Sequence, residues 1–293
     1  MKAKALYIHA LTPLHVGTGA SVDVIDLPVA REKTTGWPFI PGSGLKGVLR
    51  DACKEVQSNE GLLEKVFGPQ TERASEHAGA VVFSDAHLLC LPVRSFKGTF
   101  AWTTCPAVLA RIKRDFDLGQ IGEFPDCTMA LGYEQGAVCT SSALVHGNQV
   151  YLEDLDVTVQ QQHGQADAVA SSIASAVFDD ATWQNSFKQR FVVVSDDLFS
   201  TLTESATEVT TRVRIQDDTK TVQRGGLWYE EALPAESILW SLIIAVPWNK
   251  SDPDPAAMFD YLKEAMKIPL QIGGNASVGR GLVRLVLTGG DGK

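Results

Sequence analysis

Residues 9–54 of this chain place the tightest constraint on its fold: a strand that a proline ends, a charged glycine-bearing loop, and a helix that begins at glycine and serine. Lys4, Leu6, Ile8 and Ala10 alternate with Ala5, Tyr7, His9 and Leu11, which is the period of a β-strand. Thr12-Pro13 stops the ladder, because proline has no amide to donate. The loop that follows contains Gly17 and Gly19, two carboxylates (Asp23 and Asp26) and the basic residues Arg31 and Lys33. It ends at Pro41-Gly42-Ser43-Gly44, where the sequence predicts a helix with Ser43 as N-cap and Leu45, Val48, Leu49, Ala52 and Val56 as the buried stripe. Lys46, Arg50 and Lys54 recur every fourth residue and form a cationic row. A glycine-bearing helix N-terminus beside such a row suits a phosphate backbone; taken alone, the row reads equally as a solvated helix face.

Further along, Ala80–Val93 reads as two strands separated by a turn at Ser84-Asp85-Ala86, with His87 as a packed strand residue. The segment from Phe96 to Trp102 mixes aromatics with Lys97 and suits either base stacking or a half-exposed strand. Pro106–Phe116 is a helix with proline in its first turn. Residues 117–165 lose periodicity and read as an irregular insertion with a few strands. From Val209 to Ile215 the chain alternates cleanly, with Arg212 and Arg214 on one face. A polar tip from Gln216 to Gly226 then precedes Leu227–Glu231, which predicts a long hairpin over residues 205–233. Asp254-Pro255 starts a last helix, and the glycine loop Gly273–Gly281 leads into a strand. That loop is no P-loop: Gly279 is followed by Arg280-Gly281 instead of Lys-Ser/Thr, and a strand follows where a helix is required.

With 293 residues, 44% of them apolar, the chain can bury a full core as one large domain or two small ones. It has no run of about 18 apolar residues and no signal-peptide pattern at its start, so a cytoplasmic protein with no membrane partner is expected. Cys53, Cys90, Cys105, Cys127 and Cys139 are odd in number and widely spaced, which favours reduced thiols over disulfides or a zinc site. A net charge of −9 argues against indiscriminate nucleic-acid binding. The cations nevertheless cluster, at residues 31–54, 111–114, 212–214 and 220–224, which reads as an acidic body with a basic stripe.

Three separated runs carry a resemblance: His15–Gly19, Asp26–Glu32 and Gly36–Gly47. In order and content they resemble the start of RAMP-superfamily proteins, and more narrowly the multicopy backbone subunit of the type III-B CRISPR effector, the Cmr complex. Gly44 stands where the family usually has a second serine. The C-terminal glycine loop resembles the family's glycine-rich loop, and the hairpin resembles its thumb. The resemblance implies an α+β fold in a single RAMP domain over residues 1–293. A ferredoxin-like (RRM-like) antiparallel sheet with helices on one face would form the palm, with residues 205–233 as a β-hairpin thumb. Core strands are expected near residues 4–11, 80–92, 190–194, 237–246 and 282–287.

The resemblance also implies an endoribonuclease that lines up with copies of itself along a guide RNA, joins other effector subunits and cleaves complementary target RNA. Asp26 stands where the family keeps the aspartate required for cleavage, and is the candidate ligand for Mg2+ or another divalent cation. One carboxylate holds such an ion weakly, so RNA phosphates and water would have to complete its shell. Asp23 is close by but reads rather as a turn or cap aspartate, and His15 as either an acid–base group or a structural histidine. The candidate RNA contacts are Arg31, Ser43, Lys46, Arg50, Arg212, Arg214, Gly274 and Arg280. Two other functions remain open: a non-catalytic RNA-binding scaffold, and a RAMP endonuclease that processes guide RNA.

Overall fold

The first strand, β1 (Lys2–Ala10), is buried from Ala3 to Ala10, and the rest of the chain is layered around it in a computed structural model that describes residues 1–21, 24–57, 59–70, 77–160 and 163–289. After the long loop come β2 (Phe39–Ile40), α1 (Gly42–Val56), α2 (Glu60–Phe67), β3 (Val81–Phe83), β4 (Ala86–Arg94), β5 (Phe100–Thr104) and α3 (Pro106–Gly119). The middle of the chain forms β6 (Gln135–Val138), β7 (Gln149–Leu152), β8 (Leu155–Val159), α4 (His163–Val177), α5 (Ala181–Arg190), β9 (Phe191–Val194) and α6 (Asp196–Ser205). The last part supplies β10 (Glu208–Ile215), β11 (Val222–Ala232), β12 (Ile238–Ala245), α7 (Pro255–Ala265), β13 (Leu270–Gln271) and β14 (Leu282–Thr288).

Among the described residues, 12 strands join one sheet in the order β13-β14-β1-β12-β4-β5-β9-β6-β8-β7, with β2 added on β4 and β3 on β12. Its pairs are antiparallel except β5 with β9 and β6 with β8. Each expected core strand is present. The weakly periodic residues 117–165 contain β6, β7 and β8, which extend the sheet beyond β9. All five cysteines are free and buried, and burial pushes the Cys53 and Cys139 thiols up to about 12.

Helices cover both faces of the sheet, not one. Lys4 lies over the ring of Phe259 on α7, 5.4 Å from its centroid, whereas His9 packs edge-on against Phe178 just beyond α4, at 5.2 Å. Positions 4 and 9 have opposite parity on β1 and so point to opposite faces. Strand β1 therefore cannot be half solvated: Lys4 and His9 sit inside with partners, while Lys2 at its start is exposed.

Helix α1 begins two residues earlier than the Ser43 cap predicts. Pro41 occupies the cap position and makes no side-chain cap bond. The amide of Gly42 instead donates to Asp85 Oδ1 at 2.7 Å, so a carboxylate from the break between β3 and β4 satisfies the helix end. Only glycine fits there, because a β-carbon at residue 42 would run into the carbonyl of Phe83. The buried stripe of α1 is Leu45, Leu49, Ala52 and Cys53; Val56 is exposed. The break itself differs from a turn between paired strands: β3 and β4 both pair antiparallel with β12, as one interrupted strand.

Glu32 pins the far end of the long loop to this sheet. Arg111 of α3 donates to both of its oxygens at 2.9 Å, and His87 of β4 reaches it at 2.5 Å. Burial alone would raise the Glu32 carboxyl, but hydrogen bonds from His87, Arg111 and Thr35 overcome it and lower the pKa from the ordinary 4.5 to about 2. Since the folded group titrates below the unfolded one, its stabilisation is complete above pH 4.5 and is lost as the pH falls towards about 2. The urea midpoint of the parent protein should therefore drop more steeply across that window than that of Glu32→Gln. Equal pH slopes for the two proteins would remove this role.

Candidate functional site

The hairpin β10–β11 forms its own two-stranded sheet, and the glycine-bearing loop is stitched to its outer edge. Leu14 and Leu233 exchange backbone bonds of 2.8 and 2.9 Å. Leu27 donates to the carbonyl of Tyr229 and accepts from the amide of Glu231, both at 3.0 Å, so residues 26–29 lie along β11 as an extra edge. This registration puts Asp26 opposite Tyr229, whose amide donates to Asp26 Oδ2 at 2.7 Å. Asp26 is half-buried. Asp23 lies outside the described residues.

Two neighbouring carboxylates on β11 hold the arrangement. Glu230 and Glu231 are 3% and 1% exposed, and consecutive strand residues face opposite sides. Glu231 accepts from the amide of Val29 at 3.0 Å, from Arg31 at 2.5 Å and from the Thr207 hydroxyl at 2.8 Å. Arg31 also donates to the carbonyls of Gly36 and Thr203. On the other side, Glu230 takes Asn275 at 2.8 Å, Arg212 at 3.3 Å and, more distantly, Arg280 at 3.9 Å. Burial works against the Glu230 charge, but hydrogen bonds from Asn275 and Arg212 and the charge of Arg212 outweigh it and hold the carboxyl below its usual range.

His15 joins the loop to the C-terminal glycines. Its Nδ1–H donates to the carbonyl of Glu231 at 2.6 Å, because a carbonyl can only accept. The ring is buried against Gly17 and Gly274, and the Gly274 amide donates to the His15 carbonyl at 2.9 Å. Gly273 has φ +80° with the same carbonyl against it, a combination that excludes any side chain. His15 thus acts first as a packing centre.

The candidate RNA contacts divide into two groups. Arg31, Arg212 and Arg280 are engaged by Glu231 and Glu230, and Arg280 also donates to Thr210 at 3.1 Å. Arg50 donates to the carbonyl of Gly68 at 2.8 Å, just past the end of α2. On α3, Arg111 binds Glu32, Lys113 contacts Asp117 and Asp126, and Arg114 binds Asp115. Much of the expected basic stripe is therefore internally neutralised. Ser43 and Arg214 are exposed and Lys46 is half-exposed. Ser43 and Lys46 line an open cleft of about 430 Å³ with Gly68, Pro69, Gly79 and Trp248. In the aromatic segment, Phe96 is exposed against His146 and Tyr151, while Trp102 belongs to the core.

The residues that sequence reasoning missed are Glu230 and Glu231. Their signal was present: two adjacent acids between Leu227-Trp228-Tyr229 and Ala232-Leu233 place a charge on each face of an apolar strand, and a buried carboxylate requires partners. Among the described residues, no group of three His, Cys, Asp or Glu side chains could hold a metal ion. No helix of the described residues is long and apolar enough to cross a membrane.

Comparison with known proteins gives a consistent result. The sequence pattern of the RAMP superfamily matches residues 7–284. The chain is 39% identical over 293 residues to the CRISPR system Cmr endoribonuclease Cmr4 of Pyrococcus furiosus, covering 98% of this chain and 96% of that protein. The crystal structure of oligomeric Cmr4 from Pyrococcus furiosus superposes with a TM-score of 0.79 at 31% identity, covering 99% of each chain. A chain of the type III-B Cmr-beta complex bound to cognate target RNA has the same fold, with a TM-score of 0.77 at 22% identity, covering 98% of this chain and 97% of that one.

If Arg280 is an internal ligand, Arg280→Ala should destabilise the protein by about 1–3 kcal/mol, since Glu230 keeps Arg212 and Asn275 but loses a buried cationic neighbour. Denaturant unfolding measures this, and unchanged stability would return Arg280 to the surface.

Proposed function

The chain belongs to the RAMP superfamily, and from that premise we propose that it is a repeated backbone subunit of a type III-B CRISPR effector, lining up with copies of itself along a guide RNA and cutting complementary target RNA. In this reading the sheet around β1, β12 and β4 is the ferredoxin-like palm, and β10–β11 is the thumb that reaches across the guide–target duplex. The observation that carries the reading is the setting of Asp26: a half-buried carboxylate fixed by one backbone amide at the edge of the hairpin, in a chain alike over nearly its full length to a protein named as an endoribonuclease. The other effector subunits would meet the ends and flank of the row of copies.

Cleavage of RNA requires activation of a hydroxyl or water and neutralisation of the phosphate. Asp26 is the group assigned to the first task, with His15 behind it. The described residues do not build a resident metal site, because Glu230 and Glu231 are already occupied by arginine and amide donors and no group of three possible ligands gathers among them. Mg2+ or another divalent cation would therefore arrive with the RNA phosphates, with Asp26 as its protein ligand. Guide contact falls to Lys46, Ser43 and Arg214, the candidates the fold leaves at the surface, with Gly274 and Arg280 bracing the loop behind the hairpin.

Asp26→Asn keeps the size and an acceptor for the Tyr229 amide but removes the charge. Complexes rebuilt with it should load guide and bind target normally yet cleave labelled target about a hundredfold more slowly or worse. Full activity would transfer the chemistry to another group, His15 first. Parallel reactions in excess chelator address the cation, since equal activity there would leave acid–base chemistry alone.

Lys46→Ala should weaken guide binding and reduce the slope of log affinity against log salt by about 0.7, the share of one phosphate contact on a single strand. Arg50→Ala should instead lower stability with little change in that slope, because its guanidinium holds the carbonyl of Gly68. Identical salt slopes for parent and Lys46→Ala would remove α1 from the guide path. A protein that binds RNA only as a monomer or dimer would favour guide processing over the backbone role.

A further inference from the structure

The carboxylate of Glu231 gathers three donors from two separate stretches of chain: Val29 and Arg31 from the glycine-bearing loop, and Thr207 from the entry to β10. Through Val29 and Arg31 it grips the loop at three and five residues beyond Asp26. Its own amide donates to Leu27, one residue from Asp26. Among the described residues, the Asp26 carboxylate by contrast accepts from one backbone amide, that of Tyr229. A single bond leaves a side chain free to swing, so the position of Asp26 depends on how firmly its loop is registered on β11. Glu231 is the only acidic side chain that makes hydrogen bonds both to this loop and to the base of the hairpin among the described residues.

We propose that Glu231 is a positioning residue for target cleavage, acting through Asp26. The carboxylate fixes the register of residues 26–31 on β11, so that Asp26 faces the scissile phosphate whenever the hairpin is seated on the duplex. Arg31 serves the same end: its guanidinium bridges Glu231 to the carbonyls of Gly36 and Thr203 and carries the hold into α6. The proposal rests on the reading of Asp26 as the cleaving carboxylate.

The test is single-turnover cleavage of labelled target by rebuilt complexes, measured together with target affinity and thermal midpoint. Glu231→Gln retains shape and an acceptor oxygen but removes the charge that holds Arg31. It should slow cleavage by about tenfold to a hundredfold, the scale of a misplacement of order one ångström, with target affinity unchanged and a midpoint that falls, as Arg31 loses its partner, but stays above the assay temperature. In an Asp26→Asn background the same substitution should add no further loss, because both act at one group. Thr207→Val removes one donor and leaves the Arg31 pair, so it provides a milder variant if Glu231→Gln fails to fold; it should slow cleavage about fivefold. Full-rate cleavage by these variants overturns the proposal, as does a loss that follows weakened target binding or unfolding at the assay temperature. A further loss of equal size in the Asp26→Asn background overturns it as well, since Glu231 would then act by another route. Full-rate cleavage by Asp26→Asn alone overturns the underlying catalytic reading.

Discussion

A buried carboxylate has to be answered by positive or hydrogen-bonding partners, and β11 buries two of them side by side. Left unpaired, each would shift to its neutral form or destabilise the fold by several kcal/mol. The chain answers with Arg31, Thr207 and the Val29 amide on one face, and with Arg212, Asn275 and Arg280 on the other. These partners come from the first loop, the hairpin's own first strand and its approach, and the C-terminal glycine loop. Removing either acid would therefore loosen segments that no continuous secondary structure joins. His15, bonded to the carbonyl of Glu231 and packed on Gly17 and Gly274, closes the same junction from below.

This use of arginine changes how the surface charge should be understood. The chain has 26 basic and 35 acidic residues, and several of the cations that cluster in sequence are drawn inward to neutralise acids. What remains for a polyanion is a short list on α1 and the hairpin. A protein of net charge −9 gains little from general attraction to phosphate, so binding has to come from contacts set at fixed spacing. Repetition of the subunit along one strand would supply that spacing, since each copy adds the same few contacts.

The layering of the fold has a similar origin. Strand β1 carries Lys4 and His9 yet is buried on both faces, and both found an internal partner: Lys4 above Phe259, and His9 bonded to Glu236 at 2.8 Å. The capping of α1 by Asp85 follows the same logic across 43 residues of sequence. Polar groups that look like surface features in the sequence become the ties between layers.

The sequence by itself determined the elements and the family. Alternation at residues 4–11 and 209–215 placed strands, Pro106 and Pro255 opened helices, and the motif runs around Asp26 and Gly42 carried the likeness that full-length comparison bears out. These signals are local, since period, proline and glycine act within a few residues of themselves. The tertiary structure decided which charges are internal. It moved the start of α1 to Gly42, shortened the hairpin tip to residues 216–221 because β11 already starts at Val222 opposite Ile215, and gave Arg31, Arg50, Arg212 and Arg280, all candidate RNA contacts, partners within the protein. The physical reason is that the state of a charge depends on what lies within a few ångströms of it. For Arg31 and Glu231 that neighbour is 200 residues away along the chain, and no pattern within either segment encodes the meeting.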